Sequence, residues 1–536
     1  MDGPVGTDAG LQELIDAFLQ GRLTEPQAEQ LACSDPATLK RVMLATSARI
    51  AEQNARVTEL ESRVAALLEQ NVLLAQQNAQ LLEQNATLSA QVSTLSEQVG
   101  KLSEQVAKLS KNSSNSSKPP SSDIVKPPGP KRPDGKPRGR GGQPGHRGVC
   151  RVAFGPERVD DTRHHHPTVC PLGHTLDPEP TGPPKVQQVA ELREDPVSVI
   201  EHQVHGHRCP ICQEIVWGTL PAGVVEGQLF GVRLQALMGY MKGSLHASYS
   251  ALADFCRDVL NLQVSRSHLC TVISRVSDAL AKPYEELQEH VPTEAVLHVD
   301  ESGWKDCGVK YWIWVFCTTA FSFFVIAKSR SSQVLREVLG EAYGGTLVSD
   351  FFSAYVKYAN RLQQFCLAHL IRDIKFLTTL PDEKEQRFGR VLLLQFKRLF
   401  HFWHLRQKIP KDRYDRLMLR LKTRILRMAA PDDLPPKSAT LGKRFNRHGE
   451  SIFRFLFDPA VPPTNNTGEQ GIRGSVIDRR ITQGSRSLMG RQWNARIWTV
   501  LGTCRKQGRS AWQFIQEALN AHHFGGAVPS LVPQPA

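Results

Sequence analysis

Between Val57 and Leu109 two columns of residues recur every seven positions. One holds Val57, Val64, Asn71, Asn78, Asn85, Val92, Val99 and Val106. The other, three residues later, holds Leu60, Leu67, Leu74, Leu81, Leu88, Leu95, Leu102 and Leu109. These are the a and d positions of a coiled coil, and the unbroken repeat predicts one long helix over residues 50–110. The three consecutive Asn at a find their hydrogen-bond partners in the same residues of a parallel, in-register second strand, so the pattern predicts a homodimer. The g positions are mostly Gln, which leaves charge little part in partner choice. Residues 1–49 read as short helices, the last opening at Asp35-Pro36 with proline in the first helical position.

Beyond residue 225 the periodicity changes. Residues 225–290 look helical, and ALADFCRDVLNLQVSRSHLCTVISRV holds two helices around a short turn, the second opened by a serine. This is either a DNA-reading helix-turn-helix or a packing pair at a domain entrance. AVLHVDESGW then reads as an apolar strand ending at Asp300. YWIWVFCTTAFSFFVIAKSR is a β-rich hairpin, SSQVLREVLG a helix, GTLVSD a strand ending at Asp350, and LQQFCLAHLIRDIKFL a short strand entering a helix. The order β-β-β-α-β-α predicts an α/β, ribonuclease H-like core over 291–515. An Arg-, Lys- and Leu-rich helical insertion over 384–430 interrupts it, either a DNA-facing platform or a basic-faced structural bundle. Residues 516–536 are expected to form a C-terminal tail.

In that order the central strand and the next parallel strand are neighbours, so Asp300 and Asp350 are expected side by side. Two close carboxylates repel unless a cation lies between them, and hard divalent cations such as Mg²⁺ or Mn²⁺ favour carboxylate oxygens. Two such ions about 4 Å apart support phosphodiester cleavage without a covalent enzyme intermediate. Glu469 is the candidate third carboxylate. PTNNTGEQGIRGSVIDRR offers Thr464 or Asn465 as an N-cap, Glu469 one turn into a helix, and Arg473 four residues on as an orienting or phosphate-contacting cation. The glycines at 468, 471 and 474 count against that helix. Glu301 and Asp306 are rivals to Asp300.

Composition adds a polyanionic partner. The chain has 536 residues, a net charge of +13 and 40% hydrophobic residues. Ten Lys or Arg against two Asp between Lys111 and Arg151 place +8 of that charge in one Ser-, Pro- and Gly-rich linker, residues 111–152. Within it Pro137-Arg138-Gly139-Arg140-Gly141 has the form of an AT-hook, narrow enough for the minor groove of double-stranded DNA. Lys136, Arg138, Arg140 and Arg147 are the candidate DNA contacts; a plain basic tether is the alternative. The 11 Cys are odd in number, and neither a signal peptide nor an apolar run of membrane-spanning length is visible. They read as reduced thiols in a cytoplasmic, nucleoid-associated protein. Cys170, His174, Cys209 and Cys212 form two short-spaced pairs suited to structural Zn²⁺ in a module over 153–224, with His164, His165, His166, His202, His205 and His207 as alternative ligands.

The motifs LHVDESGW, LVSDFFSAY, CLAHLIRD and PTNNTGEQGIR resemble the insertion sequence 66 family of bacterial DDE transposases. The linker KNSSNSSKPPSSD, the element GQPGHRG and the paired-ligand module resemble the same family in the same order, over about residues 110–515. The resemblance implies Asp300, Asp350 and Glu469 as the catalytic, magnesium-holding triad of a transposase that binds the ends of a mobile element. Water attack would free a 3′-hydroxyl, which then attacks target DNA; small companion proteins are common in the family. Cys366 and His369 match the family's Cys-x2-His element, with His369 either a site contact or a packing residue. Two departures stand out: His174 replaces a cysteine, and Gln470 replaces an arginine. The rival readings are a non-catalytic, zinc-containing coiled-coil DNA-binding regulator and a nuclease that never joins.

Overall fold

A computed structural model describes residues 8–109, 153–180, 182–358, 362–430 and 433–534. The candidate contacts Lys136, Arg138, Arg140 and Arg147 lie outside them. The chain divides into two compact units, Met1–Gln105 and Val106–Ala536.

The first unit holds α1 (Asp8–Leu19), α2 (Glu25–Ala32) and most of α3 (Pro36–Leu109). Ile15, Leu31 and Val42 form its small core. α2 opens with a capping box in which Thr24 and Gln27 satisfy each other's end groups. α3 opens where Asp35 accepts hydrogen bonds from the N–H groups of Ala37 and Thr38. Its 74 residues contain the whole heptad array, and the seam is bare: Val57, Leu60, Leu74 and Leu81 are each about half exposed.

In the second unit the described residues from 153 to 231 are loop-rich, with a 3-10 turn at Pro156–Arg158 and the hairpin β1 (Gly206–Arg208) and β2 (Ile215–Trp217). Helices α4 (Val232–Ser244), α5 (Tyr249–Asp258), α6 (Arg266–Ala279) and α7 (Ala281–His290) follow. Ser248 and Ser265 cap α5 and α6 through their side chains. α6 buries Leu269, Val272, Ile273 and Val276, so most of this helix belongs to the core.

The central sheet is built from β3 (Val296–Asp306), β4 (Val309–Cys317), β5 (Ser322–Ala327), β6 (Thr346–Ser349) and β7 (Gln363–Phe365), in the order β5-β4-β3-β6-β7. β3, β4 and β5 pair antiparallel, while β6 and β7 join β3 in parallel. Helices α8 (Gln333–Leu339), α9 (Ser353–Lys357) and α10 (Leu367–Leu377) connect and follow the strands. The edge strand β5 is closed by a later helix: the backbone N–H groups of Ser322 and Phe324 donate to the hydroxyls of Thr503 and Thr499.

Between α10 and the end of the chain come α11 (Glu383–His404), α12 (Lys411–Met428), α13 (Pro436–Phe453), α14 (Asn466–Thr482), α15 (Leu488–Lys506) and α16 (Ala511–Phe524). The inserted helical layer therefore reaches Phe453, past the expected 430, because Phe445, Ile452 and Phe453 complete the core begun by Leu392, Phe396 and Leu399. Two further expectations change. β3 does not stop at Asp300 but runs on to Asp306, since β4 pairs with it residue for residue and buries Trp304. Residues 516–534 of the expected tail contain most of α16, whose Ala518 and Leu519 enter the main core with Leu531, so these residues are held down by packing. That core also contains Phe230 and Leu287, which joins residues 225–290 to the sheet rather than setting them apart. Among the described residues no helix is long and apolar enough to cross a membrane.

Candidate functional site

The parallel register of β3 and β6 positions the two aspartates. His298 pairs with Val348, the last ladder pair of these strands. Asp300 and Asp350 each lie two residues further on, at the point where β6 ends and the sheet opens. Neighbouring strands run about 4.8 Å apart and residues two apart share a face, so the two carboxylates share one edge of one cleft. Asp350 turns its carboxylate back to accept from the N–H of Phe352. Among the described residues Asp300 accepts only from the N–H of Glu301.

Glu469 comes from α14, and a clamp fixes that helix to β3. Asn465 occupies the N-cap but makes no side-chain cap. Its amide is used across the fold instead: Oδ1 lies 2.9 Å from His298 Nδ1, and Nδ2 donates to the carbonyl of Val299 at 2.8 Å. The glycines that weaken α14 as an isolated helix serve its approach. A Cβ at Gly471 would stand 3.2 Å from Cys317 Sγ, which accounts for glycine at this close crossing over β4.

The site is acidic and poor in compensating cations. Burial pushes the Asp300 carboxyl well above the usual carboxylate range, and the charges of Glu301, Asp350 and Glu469 push it the same way. Burial, and then Glu301, raise Asp350 to about 6. Glu469 is also raised by burial, offset by the guanidinium of Arg372. Asp300 and Asp350 are thus both raised by burial and neighbouring acidic charge, the condition under which a divalent cation binds well, while Glu469 is not grouped with them within common ligand distance.

The rivals have other work. Glu301 faces the cleft, but Arg330 holds its Oε1 at 2.6 Å and Tyr355 donates its hydroxyl to Oε2. Arg330 in turn lies over the rings of Phe352 and Trp312. Asp306 sits at the far end of β3, bound by Ser485 at 2.6 Å and Arg491 at 2.7 Å. Arg473 is exposed and forms no ion pair with Glu469. The cation acting on Glu469 is Arg372 of α10, which the sequence reading missed because no local spacing links the two helices.

His369, on the first turn of α10, faces Glu469 with Nδ1 3.5 Å from Oε1. Burial and Arg372 push its pKa down to about 4, so the imidazole is neutral near neutrality. Cys366, one turn earlier, accepts from the N–H of Asn465 at 3.2 Å.

The Cys/His pairs form two separate turns. Cys170 Sγ lies 3.5 Å from His174 Nδ1, with Gly173 at φ +85° closing the turn between them. Cys209 and Cys212 share the β1–β2 turn, where the N–H of Gln213 donates to the carbonyl of Cys209. Backbone N–H groups lower both the Cys170 and Cys209 thiols. The expected four-ligand cluster does not form: among the described residues, the only group of three or more metal-ligating side chains is Cys366, His369 and Glu469. The histidines at 164–166, 202, 205 and 207 are exposed and do not complete either pair.

A second surface belongs to α12. Arg413, Arg416, Arg420, Arg424 and Arg427 are all exposed, and none forms an ion pair among the described residues. At 3.6 residues per turn they fall within an arc of about 80° over about 21 Å of helix.

Residues 227–492 match the model of the family described as Transposase IS66 family, a stretch that includes Asp300, Asp350 and Glu469. The chain belongs to this family of transposases. Residues 48–151, which include the heptad array and the basic linker, match a family of unknown function. No curated protein matches the chain.

Proposed function

We propose that the chain is a DDE-type DNA transposase, which cuts the ends of a mobile element and joins them to target DNA with Asp300, Asp350 and Glu469 as its catalytic carboxylates. The observation that carries this reading is the register of β3 and β6, which sets both aspartates two residues beyond the pair His298–Val348 while Glu469 reaches the same field. The sheet order, with two antiparallel pairings followed by two parallel ones, supports a ribonuclease H-like core.

The three carboxylates are half-buried and, among the described residues, the two aspartates accept only backbone N–H bonds, which leaves their oxygens open to Mg²⁺ or Mn²⁺. Glu469 does not stand within common ligand distance of both aspartates, so the ion would have to draw the three together. When bound, a pair of such ions activates the attacking oxygen and stabilises the leaving oxygen. Arg330 and Tyr355 keep Glu301 out of that set and hold the wall of the cleft. Asn465 fixes α14, and so the distance of Glu469 from β3.

DNA is the polyanion that fits the α12 arginines. Like charges three and four residues apart repel, so the stripe costs helix stability in the free protein and is offset when phosphates face it. The linker residues Lys136, Arg138, Arg140 and Arg147, together with Arg473, are proposed as further DNA contacts. The bare seam of α3 is proposed to pair with a second copy as a parallel coiled coil. Structural Zn²⁺ is proposed for Cys170, His174, Cys209 and Cys212 on the chemistry of the two turns, whose N–H groups favour thiolates; the turns must close on each other to share one ion. We place the protein in the bacterial cytoplasm with its DNA, where companion proteins of the element are possible partners.

The test is a strand-transfer assay on pre-cleaved DNA carrying the inverted repeats that flank the gene. Wild-type protein joins the ends in Mg²⁺. Asp300→Asn, Asp350→Asn and Glu469→Gln lose at least about a thousandfold in rate while still binding DNA, the several kcal/mol that metal-held charge contributes. Cleavage without joining identifies a nuclease. Joining unaffected by Asp300→Asn removes the catalytic assignment.

A further inference from the structure

We propose that Cys366, His369 and Glu469 form a binding site for a thiophilic divalent cation of the Zn²⁺ class, distinct from the magnesium position at Asp300 and Asp350. The inference rests on the reading of Glu469 as part of the active cleft and adds a second kind of metal to it.

Three observations carry it. A thiol sulfur, an imidazole nitrogen and a carboxylate oxygen lie within 4.8 Å of one another. Two of the three, His369 Nδ1 and Glu469 Oε1, are buried and have no hydrogen-bond partner. They face each other at 3.5 Å, too long for a good hydrogen bond and suited to two ligands of one ion. Orphaned polar atoms are rare in protein interiors, and an unoccupied partner position is one of their ordinary explanations.

The local fold explains how the donors converge. Cys366 is the N-cap of α10 and His369 lies three residues on, so both face the same side of the first helical turn. The sulfur accepts the Asn465 N–H, the kind of N–H···S contact that also surrounds Cys170 and Cys209. Asn465 is in turn the residue from which α14 starts, so one short segment places both the sulfur and Glu469. A sulfur, nitrogen and oxygen set selects Zn²⁺, Co²⁺ or Cd²⁺ over Mg²⁺, which takes oxygen ligands. Three protein ligands leave a fourth position for water or a phosphate oxygen, the arrangement of an open zinc site. Glu469 has two carboxylate oxygens and so can serve this ion with one and the magnesium cleft with the other.

Co²⁺ titration of the full-length protein tests the proposal, because thiolate ligation gives an intense near-ultraviolet charge-transfer band. Cys366→Ser is expected to lose that band for one Co²⁺ equivalent per chain. His369→Ala removes a direct ligand and is expected to weaken the same equivalent by more than the roughly 10–100-fold that loss of a group supporting a ligand costs. Cys209→Ser serves as the comparison for cobalt held by the other cysteine turns and leaves this equivalent in place. Thermal melts establish that each variant folds; should Cys366→Ser fail to fold, His369→Ala carries the test. An unchanged band and stoichiometry in folded Cys366→Ser or His369→Ala overturns the proposal. Asp300→Asn separates the two ideas: it abolishes strand transfer and leaves the cobalt band intact. If cobalt binding proves independent of Cys366 and His369 while Asp300 remains essential, only the second metal falls.

Discussion

Asp350 links the site's electrostatics to a measurement. Its carboxyl titrates near 6 in the fold, mainly because it is buried and next because Glu301 is close. A raised carboxyl pKa means that the native state holds its proton longer than the unfolded chain does. Its contribution to stability is therefore fully present below the unfolded pKa of about 4 and is lost as pH rises through about 6. Asp300 acts in the same direction. Divalent cations reverse the effect by compensating the charges. The melting temperature of the metal-free protein should fall between about pH 4 and pH 7, and the gain from added Mg²⁺ should grow over the same interval. Asp350→Asn should flatten both trends; a Mg²⁺ gain that ignores pH and this substitution contradicts the assignment. Asn465 offers a second check at this scale. Asn465→Ala frees His298 and the carbonyl of Val299, so it should lower stability by about 1–3 kcal/mol and slow strand transfer by loosening Glu469. Loss of stability without loss of rate would make Asn465 purely structural.

The same residue shows where sequence reasoning stops. A short polar side chain before Glu469 reads as a helix cap, and the helix does start there, but the amide has been recruited by β3 instead. No spacing within PTNNTGEQGIR carries that information, because the partners lie 166 and 167 residues away.

Among the elements, α12 gives the clearest prediction. Replacing Arg413, Arg416, Arg420, Arg424 and Arg427 with Gln should leave folding nearly unchanged, since all five are exposed. DNA affinity should drop, and the slope of log K against log salt should become shallower by about 0.9 for each arginine that meets a phosphate. An unchanged slope would leave α12 as a solvated helix face. The arginine-rich composition was legible in the sequence, and the alignment of its charges follows from helical spacing. That these five arginines have no ion pair among the described residues was not, because that depends on where the acidic residues of other elements fall. β3 shows the converse. The polar run after Asp300 looked like a strand end, yet pairing with β4 and the burial of Trp304 carry the strand on to Asp306.

On the scale of the whole molecule, heptads and strand order were the most readable features, because both are periodic or sequential properties of the chain. The long helix and the β3-to-β7 order follow the sequence pattern. What escaped was long-range: α16 and Leu531 packing into the core that begins at Phe230, and the separate standing of the two Cys/His turns. The first unit also predicts assembly. Half-exposed Leu74 and Leu81 on an otherwise unsupported helix call for a second copy, so full-length protein should sediment as a dimer. Leu74→Lys with Leu81→Lys should shift it to monomer; a wild-type monomer would leave the seam without its proposed partner.

The central claim is that three acidic side chains, distant in sequence, hold divalent metal together. Anomalous scattering from Mn²⁺-soaked crystals tests it without knowledge of the DNA ends. Manganese is expected between the carboxylates of Asp300, Asp350 and Glu469, as a pair about 4 Å apart when DNA is bound. Manganese absent from that cleft, or held there by Glu301 in place of Glu469, would contradict it.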